Sequence, residues 1–259
     1  MGQALTLGAI KSGALAASNL FVYDPVPAAV DYLLSHISAT PCETLAALIQ
    51  ESDVLLLCVK PGDVPDVLRI IASSQKSAKD LLVISIAAGV TITSMEAGSQ
   101  GKARIVRAMP NTPALVGEGA AAFSLGQSAL EADAAFATSL LGSVGSVHRV
   151  KESLMDAVTG ISGSGPAYVF TFIEALADGA LLQGIPRDQA LALATQTVIG
   201  AAKMVRESGE LPAELRDKVT SPGGTTISGL AALEAGAFRS TIINAVSSAT
   251  QRSQELGQQ

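Results

Sequence analysis

From Leu20 to about Val150, short aliphatic runs alternate with stretches that have the 3.6-residue spacing of helices. Each run is bounded by Pro, Gly or charged residues, as buried strands are. We predict strands at Leu20–Asp24, Asp53–Val59, Leu81–Ala87, Arg104–Met109 and Ala120–Ser124, and helices at Val26–Ser35, Glu43–Gln50, Val64–Ser73 and Ala129–Leu141. Strand–helix alternation with nearly continuous apolar strands indicates a parallel sheet that helices cover on both faces.

After Val150 the strand pattern stops and only helical spacing remains. We predict helices at Leu154–Thr159, Pro166–Gln183, Arg187–Ser208 and Ile227–Glu255. The chain therefore divides into an α/β domain at residues 1–150 and an all-α domain at residues 151–259.

The helix at Pro166–Gln183 is apolar over most of its surface. Its polar residues Tyr168, Thr171, Glu174 and Asp178 form one narrow stripe. A helix of this kind is buried nearly all round, and a small helical domain cannot bury it alone. We therefore expect a second copy of the chain to cover it in an intertwined homodimer. A higher assembly of dimers is left open.

Composition and charge narrow the classes of partner. The mean hydropathy is +0.40, but Glu174 and Asp178 interrupt the most apolar segment, so a membrane span is not expected. The net charge is −6 and the pI about 4.9, which argues against nucleic-acid binding. Cys42 and Cys58 form no disulfide framework, which favours a reducing compartment, the cytoplasm. The only histidines, His36 and His148, are isolated, and no metal site is expected.

Unusual residues follow four of the predicted strands. Ligands of open parallel sheets bind beyond the carboxyl ends of the strands. The residues at these ends are Asp24-Pro25, Lys60-Pro61 after Val59, Ala88-Gly89 after Ala87, and Pro110-Asn111-Thr112-Pro113. Each alone is consistent with an ordinary solvated turn, whereas together at one edge of a sheet they favour a cofactor crevice.

Two glycine-rich segments of the second half could also carry chemistry. In Ser221-Pro222-Gly223-Gly224-Thr225-Thr226, paired glycines leave backbone N–H groups bare, and we expect Thr225 or Thr226 to be the N-cap of the next helix. Such a helix start can bind a carboxylate or phosphate, although it also fits a plain N-cap after a turn. The small residues of Gly160–Gly165 suit either a ligand ring or tight packing.

Several segments together resemble the signature sequences of pyrroline-5-carboxylate reductases. They are VKP at 59–61, SIAAGVTI at 85–92, RIVRAMPNTP at 104–113, DAVTGISGSGPAY at 156–168 and VTSPGGTTI at 219–227. They follow the family's order and spacing. The resemblance implies a Rossmann domain followed by a helical dimerisation and substrate domain. It also implies reduction of a cyclic imine carboxylate, 1-pyrroline-5-carboxylate, to L-proline with NADPH or NADH.

The resemblance departs from the family at the start of the chain. Met1-Gly2 resembles the end of the family's glycine fingerprint, so Gly2 would be its third glycine. The family's first strand and first two fingerprint glycines would then be absent. We expect the functional protein to extend upstream, and cofactor binding by the chain as written is an open question.

The resemblance also implies roles for individual residues. Thr226 would hydrogen-bond the ring nitrogen as the catalytic residue, and no general acid is needed. The carboxylate would be held by Ser221, Gly223, Gly224, Thr225 and Thr226, and the cofactor by Gly2, Asp24, Val59, Lys60, Pro61, Ala87, Ala88, Gly89, Asn111 and Thr112.

Cofactor preference and two rival functions are left open by the sequence. An acidic residue such as Asp24 after the second strand favours NADH, whereas the family often prefers NADPH. One rival is a related β-hydroxyacid or imine dehydrogenase that uses Lys203 or Lys218. The other is a non-catalytic dimeric remnant of the reductase.

Overall fold

The computed structural model describes residues 1–257, which form two compact units: Met1–Ser164 with the segment from Ser247 onward, and Gly165–Val246. The strands are β1 Phe21–Val22, β2 Thr40–Pro41, β3 Val54–Leu57, β4 Leu82–Ser85, β5 Arg104–Met109, β6 Gly119–Leu125 and β7 Gly145–Arg149. The helices are α1 Gly2–Lys11, α2 Pro27–Leu34, α3 Leu45–Glu51, α4 Val64–Ser73, α5 Ile92–Gly98, α6 Glu131–Gly142, α7 Met155–Val158, α8 Gly165–Leu182, α9 Arg187–Ser208, α10 Pro212–Lys218, α11 Thr225–Ala235 and α12 Phe238–Leu256.

The first unit contains a five-stranded sheet in the order β3-β4-β5-β6-β7. Strands β3, β4 and β5 are parallel, as predicted. Strand β6 departs from this arrangement and runs antiparallel to β5. The link between them, Pro110–Glu118, is too short for a parallel crossover, which takes a dozen or more residues. Helix α6 then carries the chain back, so β7 is parallel to β6.

Strands β1 and β2 form a separate parallel pair, with Phe21 opposite Thr40 and Val22 opposite Pro41. The sequence pattern did not predict β2 or β7. Strand β7 is a partly exposed edge strand that includes His148 and Arg149, so it lacks the aliphatic run of the other strands. Helices α1, α5 and α10 were also not predicted.

Helices cover both faces of the five-stranded sheet, as expected. On one face, Val83 and Ile105 pack in a cluster with residues of α3, α4 and α5. On the other, Leu82, Ile84 and Val106 pack with residues of α1 and α6. Successive strand residues point to opposite faces, and this alternation separates the two clusters.

The second unit is helical and has a small buried core of alanines, Ala177, Ala190 and Ala194. The prediction of one helix over Ile227–Glu255 is wrong, because the chain breaks at Gly236-Ala237, where Ala237 has φ 55°. The last strand ends at Arg149, while the compact unit around the sheet continues to Ser164. The division into functional domains at residue 150 stays a prediction.

Candidate active site

The residues that follow β3, β4 and β5 lie at one edge of the first unit's sheet. These strands are parallel neighbours, so their carboxyl ends point the same way. Lys60 follows β3, the Ala87–Gly89 loop follows β4, and Asn111 follows β5. The structure therefore brings together three of the four strand ends that the sequence singled out. Asp24 follows β1 in the separate two-stranded sheet.

The loop after β4 presents small side chains and an unusual backbone. Ala87 is buried, and its N–H lies 3.3 Å from the Ser85 Oγ, which accepts its hydrogen bond. Gly89 is buried and has φ +78°, a left-handed conformation that glycine adopts without strain. Ala88, between them, is exposed, so the loop offers this small side chain to a flat ligand such as the ring system of a nicotinamide dinucleotide.

The start of α1 lies beside the end of β3. A Cβ placed on Gly2 would be 3.0 Å from both Cβ and Sγ of Cys58, so only glycine allows this close approach. Met1 is the N-cap, and no side chain caps the helix. Its first N–H groups and the positive end of its dipole are suited to an anion such as a phosphate.

Lys60 and Asp24 both begin turns. The Lys60 carbonyl accepts a hydrogen bond from the Asp63 N–H at 3.0 Å, and the Lys60 side chain is exposed. Pro61 begins the 3-10 turn Pro61–Asp63. The Asp24 carboxylate accepts a hydrogen bond from the Val26 N–H at 2.8 Å, just before α2. One oxygen of the Asp24 carboxylate is therefore engaged in a hydrogen bond that stabilises this turn.

Asn111 has a structural role that the sequence did not reveal. Its side-chain amide donates to the Ser162 carbonyl at 3.0 Å, and its Oδ1 accepts from the Ala120 N–H at 2.8 Å. The residue is 7% exposed. Asn111 therefore ties β6 to the segment Thr159–Gly163. Neighbouring Thr112 is exposed. The cofactor roles of Asn111 and Thr112 stay predictions.

The segment Thr159–Gly163 forms a π-helical turn, closed by a 2.9 Å hydrogen bond from the Ser164 N–H to the Thr159 carbonyl. A Cβ on Gly163 would lie 2.6 Å from the Met109 Cε, at the end of β5. The small residues of this segment therefore serve close packing against β5. Single π-turns occur frequently at functional sites.

In the second unit, the Ser221–Thr226 segment leads into α11. The prediction of a threonine N-cap is wrong: Gly224 is the N-cap, and Thr225 and Thr226 occupy the first two helical positions. Gly223 has φ +66°, and a Cβ on Gly224 would collide with the Ser221 hydroxyl. That Cβ would also lie 3.1 Å from the Ser221 carbonyl oxygen, so the Ser221 turn packs tightly against the N-cap.

The start of α11 keeps its hydrogen-bond donors available. No side chain caps its N-terminus. Within the described residues, the Thr226 hydroxyl has no hydrogen-bond partner, and the side chain is half-buried. The positive end of an 11-residue helix with bare N–H groups attracts a carboxylate. The helix start thus combines an anion site with one free hydroxyl.

Residues 1–257 contain no group of three His, Cys, Asp or Glu side chains that could hold a metal ion. His148 lies on β7, and the Nδ1 of His36 lies 2.8 Å from the Tyr32 carbonyl oxygen. Cys42 and Cys58 are free thiols. Among the described helices, none has the length and apolar run needed to cross a membrane.

A Rossmann-type sheet with small-residue loops at its carboxyl edge is the architecture of a dinucleotide-binding domain. A family model described as pyrroline-5-carboxylate reductase dimerisation matches residues 152–256, and one described as NADP oxidoreductase, coenzyme F420-dependent, matches residues 1–89. The chain belongs to the pyrroline-5-carboxylate reductase family.

Individual relatives match over almost the whole chain. The pyrroline-5-carboxylate reductase of Synechocystis is 48% identical over 99% of this chain and 95% of the relative. A Plasmodium falciparum pyrroline carboxylate reductase structure with NADP bound has 34% identity and a TM-score of 0.87, covering 99% of this chain and 94% of its own. The Coxiella burnetii reductase structure has 33% identity and a TM-score of 0.92, covering 98% and 94%.

Proposed function

We propose that this protein reduces 1-pyrroline-5-carboxylate to L-proline with NADPH or NADH, the last step of proline biosynthesis. The observation that carries the proposal is the start of α11, where uncapped N–H groups and the free Thr226 hydroxyl adjoin one another. A small ring with a carboxylate and an imine nitrogen needs an anion site and a hydrogen-bonding group of this kind.

The substrate carboxylate binds at the N-terminus of α11. The N–H groups of Thr225 and Thr226 donate to its oxygens, and the Ser221 hydroxyl adds a further donor. Gly223 and Gly224 keep the approach open, because any side chain at Gly224 would meet Ser221. The helix dipole adds a favourable charge interaction that weakens with salt.

Thr226 orients the imine. Its hydroxyl hydrogen-bonds the ring nitrogen and so fixes which face of the C=N bond is presented. Bound NAD(P)H supplies the hydride, which adds to the imine carbon. A protonated imine already carries its proton on nitrogen, so the product amine forms without a general acid.

The cofactor binds at the carboxyl edge of the sheet in the first unit. The Ala87–Gly89 loop presents the exposed Ala88 methyl group, with buried Ala87 and Gly89 on either side of it, and the start of α1 at Gly2 provides donors for a phosphate. Val59, Lys60 and Pro61 border the same edge, and Lys60 brings a positive charge. We further propose that residues 1–150 act as the dinucleotide-binding domain and residues 151–259 as the dimerisation and substrate domain.

Substrate analogues test the carboxylate site. We expect the purified protein to oxidise NADPH or NADH when 1-pyrroline-5-carboxylate is added and to form proline. With 1-pyrroline, which lacks the carboxylate, kcat/KM should fall by about 100-fold, because the helix-start donors lose their charged partner. Equal rates with both imines would contradict the carboxylate site.

The rival dehydrogenase function lacks support at its candidate lysines. Lys218 forms an ion pair with Glu210, and Lys203 is exposed. The remnant alternative requires that the chain bind no dinucleotide, so fluorescence titration with NADPH distinguishes it from the reductase.

We also propose a cytoplasmic homodimer. In the second unit, Phe170 is 63% exposed and Leu182 is 85% exposed. Further apolar side chains of α9 and α12 are also exposed to solvent. Apolar surface of this extent marks a protein–protein interface. Sedimentation analysis at micromolar concentration should give twice the 26.2 kDa chain mass. A stable monomer would contradict the proposal.

A further inference from the structure

The C-terminal turn, which we define as Ser253–Gly257, touches the Ala87–Gly89 loop within the first unit. A Cβ on Gly257 would lie 2.8 Å from the Gly89 carbonyl oxygen, and a Cβ on Gly89 would lie 3.5 Å from the Gly257 nitrogen. The two backbones therefore meet directly, with no side chain between them. Glycine at both positions is what allows this approach.

Hydrogen bonds anchor the same turn to the sheet. The buried Ser253 hydroxyl donates to Asp156 Oδ1 at 2.7 Å. Asp156 Oδ1 lies 3.6 Å from the Arg107 guanidinium. Arg107 also donates to Glu152 Oε1 at 3.2 Å. Glu152 Oε1 in turn accepts the Ile92 N–H at 2.7 Å, at the first residue of α5.

These contacts restrain the Ala87–Gly89 loop on two sides. The C-terminal turn packs against Gly89. Three residues later, the Glu152 carboxylate accepts a hydrogen bond from the Ile92 N–H. Both connections lead to Arg107, which is 5% exposed on β5. The buried Arg107 guanidinium requires its carboxylate partners, because removing one partner of such a buried pair is strongly destabilising.

We propose that the C-terminal turn positions the Ala87–Gly89 loop for cofactor binding, and that Ser253 is a positioning residue for this purpose. The inference rests on the proposed function, because the loop is taken to contact the dinucleotide. Ser253 itself touches neither cofactor nor substrate. Loss of its hydroxyl loosens the turn, and the loop then spends less time in the conformation that binds the cofactor.

The test compares Ser253→Ala with Ser73→Ala, which removes an exposed serine hydroxyl from α4 in the same unit. We expect Ser253→Ala to raise the Kd for NADPH, measured by fluorescence titration, by about 3- to 10-fold. Amide hydrogen exchange at residues 88–92 should quicken in the protein without cofactor. The KM for the imine should stay within twofold of the wild-type value.

Gly257→Ala is the second variant, because it perturbs only the end of the chain and directs a methyl group at the Gly89 carbonyl. It should raise the Kd for NADPH in the same way, even if Ser253→Ala fails to fold. If the variants that fold match Ser73→Ala in Kd and in exchange at residues 88–92, the positioning role is wrong. Failure of the proposed function is separate: the wild-type protein would then bind no NADPH or would not reduce the imine.

Discussion

Thr226→Ala is expected to lower kcat/KM for the cyclic imine by about 10- to 100-fold, with the dimer intact. The range corresponds to the loss of one hydrogen bond to a charged group. Thr226 is the second residue of α11, and its hydroxyl is free among the described residues. The carboxylate site depends on backbone donors, which alanine retains, so the substrate should still bind.

The measurement is steady-state kinetics at varied imine and saturating cofactor, together with the Kd for NADPH. Because the hydroxyl is proposed to orient the imine during hydride addition, the loss should fall mainly on kcat. The control is Thr197→Ala, which removes an exposed hydroxyl that bonds only within α9. Unchanged kinetics in Thr226→Ala would exclude the residue from the reaction.

Gly145→Ala is expected to have the largest effect on stability, a loss of about 3 kcal/mol or more in the free energy of unfolding. Gly145 begins β7 with φ +152° and lies opposite Gly119 of β6. A Cβ at this position would collide with the backbone of Gly119. The two strands would have to separate locally, which sacrifices hydrogen bonds of the sheet.

Gly142→Ala is the matched control for this prediction. Gly142 ends α6, and a Cβ there would meet only the Val147 Cγ1 at an ordinary 3.7 Å. Its stability should stay within about 0.5 kcal/mol of wild type. Urea unfolding followed by circular dichroism gives both values. A Gly145→Ala protein as stable as Gly142→Ala would mean that the β6–β7 pairing differs from the one described.

For some elements the sequence pattern predicted both ends correctly. The bounds of β5, α4 and α9 agree with the prediction at both ends. Pro110 follows β5, Pro186 precedes α9 and Gly209 follows it, whereas α4 lies between Asp63 and Ser74. Strand β7 was not predicted because half of it is polar and exposed. The reversal of β6 follows from the short link before it, and the predicted strand bounds at Met109 and Ala120 already contained that link.

The candidate site was only partly predictable. Small or polar residues after parallel strands identified one edge of the sheet, because topology alone puts those ends together. Long-range contacts were out of reach. In the Arg107 cluster, Arg107 and Glu152 are 45 positions apart in the sequence. Asp156 and Ser253 are 97 positions apart. The N-cap is Gly224 and not a threonine, and this position depends on the turn in which the Ser221 carbonyl accepts the Gly224 N–H.

The hydride itself provides the most direct test of the proposed reaction. The purified protein is incubated with 1-pyrroline-5-carboxylate and NADPH or NADH deuterated at the transferable C4 position, and the product is examined by mass spectrometry and NMR. We predict L-proline carrying one deuterium at C5, the former imine carbon. Proline without deuterium, or no proline while the protein binds the cofactor, would contradict the account.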